Sequence, residues 1–380
     1  VRILVVFGTR PEAIKMAPLV HALGEKKLLE VRVCVTAQHR EMLDQVLAVF
    51  GIAPDQDLDL MRPGQDLSGL TAGILSGMKG VLEGERPDLV LVHGDTTTAF
   101  ATALAAFYMQ IPVGHVEAGL RTGNIRSPYP EELNRQMISR IADCHFAPTD
   151  KNRAALIGEG VPGERIVVTG NTVVDALLWM KERLVCNADV RAAARREIVA
   201  AGWEKRDKSR PFILITGHRR ENFGQGFVDI CKAVRRIGEA YPGFDLVYPV
   251  HLNPSVQGPV HAALGGLENV YCIRPLGYPA FVLLMMESHL ILTDSGGIQE
   301  EAPSLGKPTI VMRQETERIE ALEAGTVLLS GTDPDRIFMS VDRLLQDSGF
   351  YREMAERPNP YGDGRAALRI AEFLADRVNA

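Results

Sequence analysis

The stretch His115-Val116-Glu117-Ala118-Gly119-Leu120-Arg121-Thr122-Gly123 runs from an apolar segment into a carboxylate and a glycine-rich turn. Ser127-Pro128-Tyr129-Pro130-Glu131-Glu132 follows, with further acids at the start of a proline-initiated helix. Two carboxylates bracketing one loop suit general acid and general base work, provided burial and mutual repulsion separate their pKa values. Glu131 and Glu132 could equally be acids that favour a helix start; Glu117 lacks that explanation. His93-Gly94-Asp95-Thr96-Thr97-Thr98 offers another candidate, because Asp95 either caps the following helix or stands ready for chemistry at a strand's carboxyl end.

A second group of residues suits phosphate. Leu292-Thr293-Asp294-Ser295-Gly296-Gly297-Ile298-Gln299-Glu300-Glu301 passes from an apolar run through Ser-Gly-Gly into a helix. Paired glycines let a backbone approach a diphosphate, and the free N–H groups of a helix start donate to it. Glu301 is placed to bind ribose hydroxyls, whereas Glu300 reads as a favourable first-turn acid. Gly217-His218-Arg219-Arg220-Glu221-Asn222 sets a histidine and guanidinium groups in another strand-to-helix turn, where phosphate contacts and a proton switch near neutral pH are both available. In Gly8-Thr9-Arg10-Pro11-Glu12, Thr9 and Glu12 form a capping box with Pro11 in the first turn. Arg10 and Lys15 are cations where the helix macrodipole disfavours them; an anionic ligand would remove the conflict, as would solvation. Gly158 to Gly163 matches GxGxxG but precedes a strand instead of following one, so it is not a dinucleotide fingerprint; GxxxxGK[ST] and HExxH are absent.

Such turns need strands to carry them. Short Val, Ile and Leu runs, each followed by a turn and a helical segment, are expected at Arg2 to Phe7, Val31 to Thr36, Leu89 to His93, Pro112 to Val116 and Ile166 to Thr169. A second series is expected at Phe212 to Thr216, Asp245 to Val250, Val270 to Ile273, Leu290 to Thr293 and Thr309 to Met312. This is an α/β chain with parallel sheets. Both series open with a strand, a glycine and a basic cluster, which suggests two similar modules whose turns point at a shared cleft. The boundary is expected near Asn171 to Trp179, Val185 to Arg210 reads as surface helix and connection, and the helical stretch Ala366 to Val378 could pack on either module.

At 380 residues the chain exceeds what one core comfortably holds, so two domains are expected. A formal net charge of -6 argues against a general nucleic-acid binder. The apolar runs are far shorter than the roughly 20 residues that span a bilayer, and Val1 to Phe7 reads as a first strand, not a signal peptide. Cys34, Cys144, Cys186, Cys231 and Cys272 are scattered without a CxxC pair, and read as small buried hydrophobes in a reducing cytoplasm.

Taken in order, FGTRPEAIKMAPL from Phe7, TAQHREMLDQV from Thr36, VHGDTTT from Val92, GHVEAGLRTG from Gly114, PYPEE from Pro128, GHRREN from Gly217, YPVHLNP from Tyr248, DSGGIQEEAPSLGKP from Asp294 and NPYGDG from Asn359 resemble the bacterial non-hydrolysing UDP-N-acetylglucosamine 2-epimerases across essentially the whole chain. The resemblance implies two Rossmann-like domains facing a cleft, as in glycosyltransferase-B enzymes: residues 1–172 joined by a C-terminal helix at 359–380, and residues 173–358. It implies a cytoplasmic homodimer using no nicotinamide and no metal. By position, the implied catalytic set is Asp95, Glu117, Glu131 and His218. The implied UDP contacts are Arg10, Lys15, Phe281, Ser295, Gly296, Gly297, Glu301 and Arg318.

The reaction implied is loss of UDP from carbon 1 with a proton from carbon 2, then re-addition with protonation from the other face. A second UDP-N-acetylglucosamine is implied as activator, at Gln38, Glu131, Arg219 and His251. Glu41 and Gly64 depart from the Gln and Arg of some members there, Ile319 replaces a common proline, and Arg274 stands where many members have an acid. Glycosyl transfer, a non-catalytic nucleotide-sugar sensor and a hydrolysing epimerase are the alternatives; a sensor would not need both Glu117 and Glu131.

Overall fold

The computed structural model describes residues 1–36, 40–60, 62, 64–204, 209–217, 219, 222, 224–250 and 254–379, with backbone alone at 40, 41, 254, 255, 259, 261, 378 and 379. The chain forms two compact units: Val1–Ala176 with Tyr361–Ala380, and Leu177–Pro360.

Among the described residues, the first unit holds strands β1 (Arg2–Phe7), β2 (Glu30–Val35), β3 (Gln56–Asp57), β4 (Leu89–His93), β5 (Val113–Val116), β6 (Cys144–Ala147) and β7 (Ile166–Val168). They pair in parallel in the order β3-β2-β1-β4-β5-β6-β7. Helices cover both faces, so central strands are continuous apolar runs: Ile3 to Phe7 is buried throughout. The sequence reading lacks β3 and β6. β3 is the polar pair Gln56-Asp57, and in β6 the apolar pattern is broken by His145, which is nevertheless buried.

The second unit holds β8 (Phe212–Thr216), β9 (Asp245–Pro249), β10 (Val270–Ile273), β11 (Leu290–Thr293), β12 (Thr309–Val311) and β13 (Val327–Leu329), parallel in the order β10-β9-β8-β11-β12-β13. β13, missing from the sequence reading, is a three-residue edge strand whose apolar run is too short to stand out. Its core gathers Phe227, Ile230, Val234 and Ile237 from one helix against Ile213, Leu246, Tyr248 and Leu292 of the sheet. Each unit is thus a doubly wound, Rossmann-like sheet. The strand order reverses between β1 and β4 in one and between β8 and β11 in the other.

Helix Arg10–Gly24 begins as expected, with the Thr9 and Glu12 capping box and Pro11 in the first turn. Gly8 is needed there for space: a Cβ would lie 2.1 Å from Thr36 Oγ1 and 2.5 Å from Thr98 Oγ1. Helix Thr172–Cys186 crosses the division between the units. The C-terminal helix Ala366–Asn379 packs against Arg10–Gly24, and the Asp175 carboxylate caps it by accepting from the amides of Ala366 at 3.2 Å and Ala367 at 2.8 Å. Burial pushes Asp175 up to about 6 despite those amides.

Two expectations need correction. Val185 to Arg210 is more than surface: helix Ala188–Ala201 packs on Tyr278–Glu287 through Ala194 and Ile198, and Trp203 behind it is buried. The five cysteines are free, but Cys186 is exposed at the end of its helix and Cys272 is half-buried; only Cys34, Cys144 and Cys231 are buried, their thiols pushed up to about 12 by desolvation. Among the described residues no helix is long and apolar enough to cross a membrane.

His115 and His145 pair side by side on β5 and β6, with ring centroids 6.4 Å apart. Burial, with mutual repulsion at His115, lowers them to about 3 and about 4. The unfolded chain therefore takes up these protons first: stability is full above about pH 6.5 and is lost as pH falls towards 4, by about 2 kcal/mol per histidine at pH 5. Denaturant midpoints compared at pH 7 and pH 5 should fall less in His145→Phe than in the unsubstituted protein; an equal fall would show that this ring does not set the acid sensitivity.

Candidate active site

In open parallel sheets ligands bind beyond the carboxyl ends of the strands, where the order reverses. In the first unit those ends carry Gly8 and Thr9 after β1 and Gly94, Asp95 and Thr96 after β4. One buried carboxylate ties them together. Glu12 Oε2 accepts from the amides of Gly8 at 3.1 Å and Thr9 at 2.8 Å, while its Oε1 accepts from the Thr96 hydroxyl at 2.6 Å. Burial raises the Glu12 pKa against the pull of these donors.

Thr96, not Asp95, caps helix Thr97–Tyr108, its hydroxyl accepting from the amide of Ala99. Asp95 is thereby released from the capping role and pairs with Arg135, Nη2 to Oδ2 at 2.6 Å. Asn134 supports the same turn by donating to the Asp95 carbonyl at 2.9 Å. Arg135 also reaches Glu132, which is fully buried and accepts from the amides of Thr122 and Gly123. Glu132 is therefore the anchor of the glycine-rich loop and not merely a first-turn acid. Glu131, the first residue of helix Glu131–Ile141, is half-buried, and its side chain has no hydrogen-bond or ion-pair partner among the described residues.

Glu117 follows β5 with φ +61, the left-handed region that a residue with a Cβ occupies at a cost of about 1 kcal/mol. Its side chain is about nine-tenths buried and pairs with the Lys15 ammonium. The Asn171 amide donates to the same Oε2 at 3.0 Å, and His93 Nε2 stands 3.5 Å from it. Lys15, expected among the UDP contacts, thus lies against Glu117, and this pair offsets its charge near the start of helix Arg10–Gly24. Arg10 is half-buried at the first position of that helix.

The second unit presents a different chemistry. Asp294, after β11, accepts from the amide of Arg219 at 2.9 Å and from Asn222 at 3.2 Å, linking the turns after β11 and β8. Ser295 precedes helix Gly296–Glu301 without a side-chain capping bond. That helix is only six residues long, so positive charge comes more from the arginines beside it than from a macrodipole. Arg318 binds Glu300 at 2.9 Å and Glu317 at 2.6 Å; Arg313 binds Glu317 at 2.9 Å, and Arg219 approaches it at 3.7 Å. Burial works to raise Glu317, but these guanidinium groups outweigh it and hold the carboxyl at about 2. Glu300 is accordingly an ion-pair partner of Arg318, not a solvated first-turn acid.

Space at Gly296 is tight: a Cβ would lie 3.1 Å from Arg318 Cζ and 3.3 Å from Arg219 Nη2, so the arginine side chains would have to give by a few tenths of an ångström. Glu301 closes the helix, buried, with Oε2 beside Gly297. Phe281 is half-buried on helix Tyr278–Glu287. Arg274 is exposed and donates to the Ala200 carbonyl, and Ile319 is exposed at the first position of helix Ile319–Glu323. Gly64 sits at φ +72. Gln38, His218 and His251, and the Glu41 side chain, lie outside the described residues. Among the described residues no group of three or more His, Cys, Asp or Glu is placed to hold a metal ion. The sequence reading gave no role to Arg135, Asn171, His93 or Asp294; only Arg135, one helical turn after Glu131, carried a spacing signal.

A doubly wound sheet with cation-paired carboxylates at the carboxyl ends of neighbouring strands, and another with an arginine-flanked Ser-Gly-Gly turn at its switch point, define an enzyme of the glycosyltransferase-B-like class with two Rossmann-like domains. The family model for UDP-N-acetylglucosamine 2-epimerase matches residues 21–375. The chain belongs to that family. It is 58% identical over 373 residues to a probable UDP-N-acetylglucosamine 2-epimerase of Ralstonia nicotianae, and 56% identical over 373 residues to the UDP-N-acetylglucosamine 2-epimerase of Escherichia coli K12, covering 98% of both chains in each case. The crystal structure of the Neisseria meningitidis UDP-GlcNAc 2-epimerase bound to UDP-GlcNAc matches with a TM-score of 0.93 at 48% identity, over 99% of this chain and 100% of that one.

Replacing Arg135 by Met would leave Asp95 and the buried Glu132 without their countercharge. Arg135→Met should lower unfolding free energy by about 3 kcal/mol in denaturant titrations. A loss below about 1 kcal/mol would mean the pair carries no stability.

Proposed function

We propose that this protein interconverts UDP-N-acetylglucosamine and UDP-N-acetylmannosamine reversibly, by inverting carbon 2 of the sugar without releasing it. The observation that carries this reading is the end-to-end likeness to the Neisseria enzyme named for that substrate, in a chain whose first unit sets Asp95 and Glu117 against separate cations.

The chemistry explains that arrangement. The proton at carbon 2 is weakly acidic, and it leaves as the bond from carbon 1 to the diphosphate oxygen breaks, giving UDP and a 2-acetamidoglucal. Re-addition reforms that bond while carbon 2 takes a proton on its other face. Nothing is oxidised or reduced overall, so the balance requires no redox cofactor. One group must accept the first proton, another must deliver the second, and positive charge developing at the ring needs an anion nearby. We assign these roles to Asp95, Glu117 and Glu131 together, with His218 and Arg10 assisting the departing diphosphate.

Lys15 and Arg135 set positive charge against Glu117 and Asp95, so each of these carboxylates is held by a cation of its own unit. In the second unit, Ser295, Gly296, Gly297 and Arg318 take the diphosphate, Glu301 the ribose and Phe281 the uridine side. The same reading includes a cytoplasmic homodimer and activation by a second UDP-N-acetylglucosamine through Gln38, Glu131, Arg219 and His251.

Proton NMR of UDP-N-acetylglucosamine with the protein in deuterium oxide, without added nicotinamide or metal, should show deuterium at carbon 2 together with a manno product. No exchange at saturating substrate would overturn the epimerase reading in favour of transfer or sensing. In the same assay Glu117→Gln should reduce kcat by roughly 100-fold or more with little change in KM; normal turnover would remove Glu117 from the reacting set.

A further inference from the structure

We infer that Asn171 is a positioning residue for the reaction, holding the Glu117 carboxylate in register through its side-chain amide; this rests on the reading that Glu117 reacts with substrate. Asn171 is buried and joins separate parts of the first unit. Its side-chain Oδ1 accepts from the amide of Val173 at 3.0 Å, at the start of helix Thr172–Cys186. Its backbone amide donates to the carbonyl of Tyr361 at 2.7 Å, in the segment that leads to the C-terminal helix. Its Nδ2 donates to Glu117 Oε2 at 3.0 Å.

These contacts fix which end of the amide faces which neighbour. Turning it over would set Oδ1 against a carboxylate oxygen and Nδ2 against an N–H, losing both bonds. Glu117 needs such support because its backbone is left-handed, a conformation that persists only where the surroundings over-determine it. Lys15 supplies charge on a flexible stem, which neutralises without fixing direction. The side-chain amide of Asn171 is short, planar and anchored through Oδ1 to a helix start, while the backbone of the same residue is tied to the C-terminal segment. It therefore supplies direction.

Substitutions separate this role from helix capping. Both Ser and Asp are good caps, so Asn171→Ser and Asn171→Asp keep an acceptor for the amide of Val173. Asp keeps no donor and places a second carboxylate against Glu117, and the Ser hydroxyl, one bond shorter than the Asn amide nitrogen, stops short of the place from which Nδ2 donates. Relative to the unsubstituted protein, kcat for carbon 2 exchange should fall roughly 10- to 100-fold in both variants, with KM within about threefold. The limb of the pH profile of kcat/KM that Glu117→Gln abolishes should move upward, by less in Ser and by about a unit or more in Asp.

If kcat and that limb coincide in all three proteins, or if only KM and thermal stability change, Asn171 is a cap and the inference fails. Should one variant not fold, the other decides by the same readouts. Absence of exchange in the unsubstituted protein would instead overturn the epimerase reading itself, so the two failures are distinguishable.

Discussion

A parallel sheet delivers all its strand ends to one edge, and the turns there must be held at fixed spacing although no ladder hydrogen bonds reach them. In the first unit the constraint is met by Glu12. Its carboxylate takes the amides of Gly8 and Thr9 on one side of the switch point and the hydroxyl of Thr96 on the other. Because Thr96 is thereby fixed as the helix cap, Asp95 is left to pair with Arg135, and the position of a candidate reactive group follows from a structural one. Gly8 belongs to the same arrangement, since any side chain there would displace the hydroxyl pair of Thr36 and Thr98, which are 2.9 Å apart.

The charges of the first unit form local pairs. Lys15 serves Glu117, while Arg135 serves Asp95 and Glu132. A carboxylate drawn out of water is costly unless a cation stands against it, and these pairs supply the cation. Arg135 is shared by two carboxylates whereas Lys15 stands against one, so the acids of this unit meet different charge surroundings.

Much of this fold was legible because parallel strands covered on both faces read as unbroken apolar runs, and because the Thr9 and Glu12 capping box announces its helix. The short strands escaped: Gln56-Asp57 has no apolar signal, and His145 interrupts Cys144–Ala147 although the structure buries it. For the candidate site, the sequence pointed to the turns but not to the partners within them. Lys15 and Glu117 lie 102 residues apart, and Asn171 and Glu117 lie 54 apart, so nothing in local spacing could join them. Asp95 carried two readings until its neighbour Thr96 was seen to hold the cap. Glu132 looked like a second copy of Glu131, yet one anchors a loop and the other does not, a difference set by which side of the helix turn faces the core.

The second sheet meets the same mechanical demand with different residues. There Asp294 sits on the turn after β11 and reaches back to the amide of Arg219 after β8, while the paired hydroxyls are those of Thr216 and Thr293, 2.7 Å apart. In the first sheet the clamping carboxylate comes from the helix after β1 and reaches forward to the turn after β4. Both clamps span the reversal of strand order, because neighbouring turns diverge there and no strand pairing holds them. The opposite origin of the two carboxylates explains why the units share only a strand, a glycine and a basic cluster in sequence. The fold requires a hydrogen-bond acceptor at that place in space, and it can be supplied from either side.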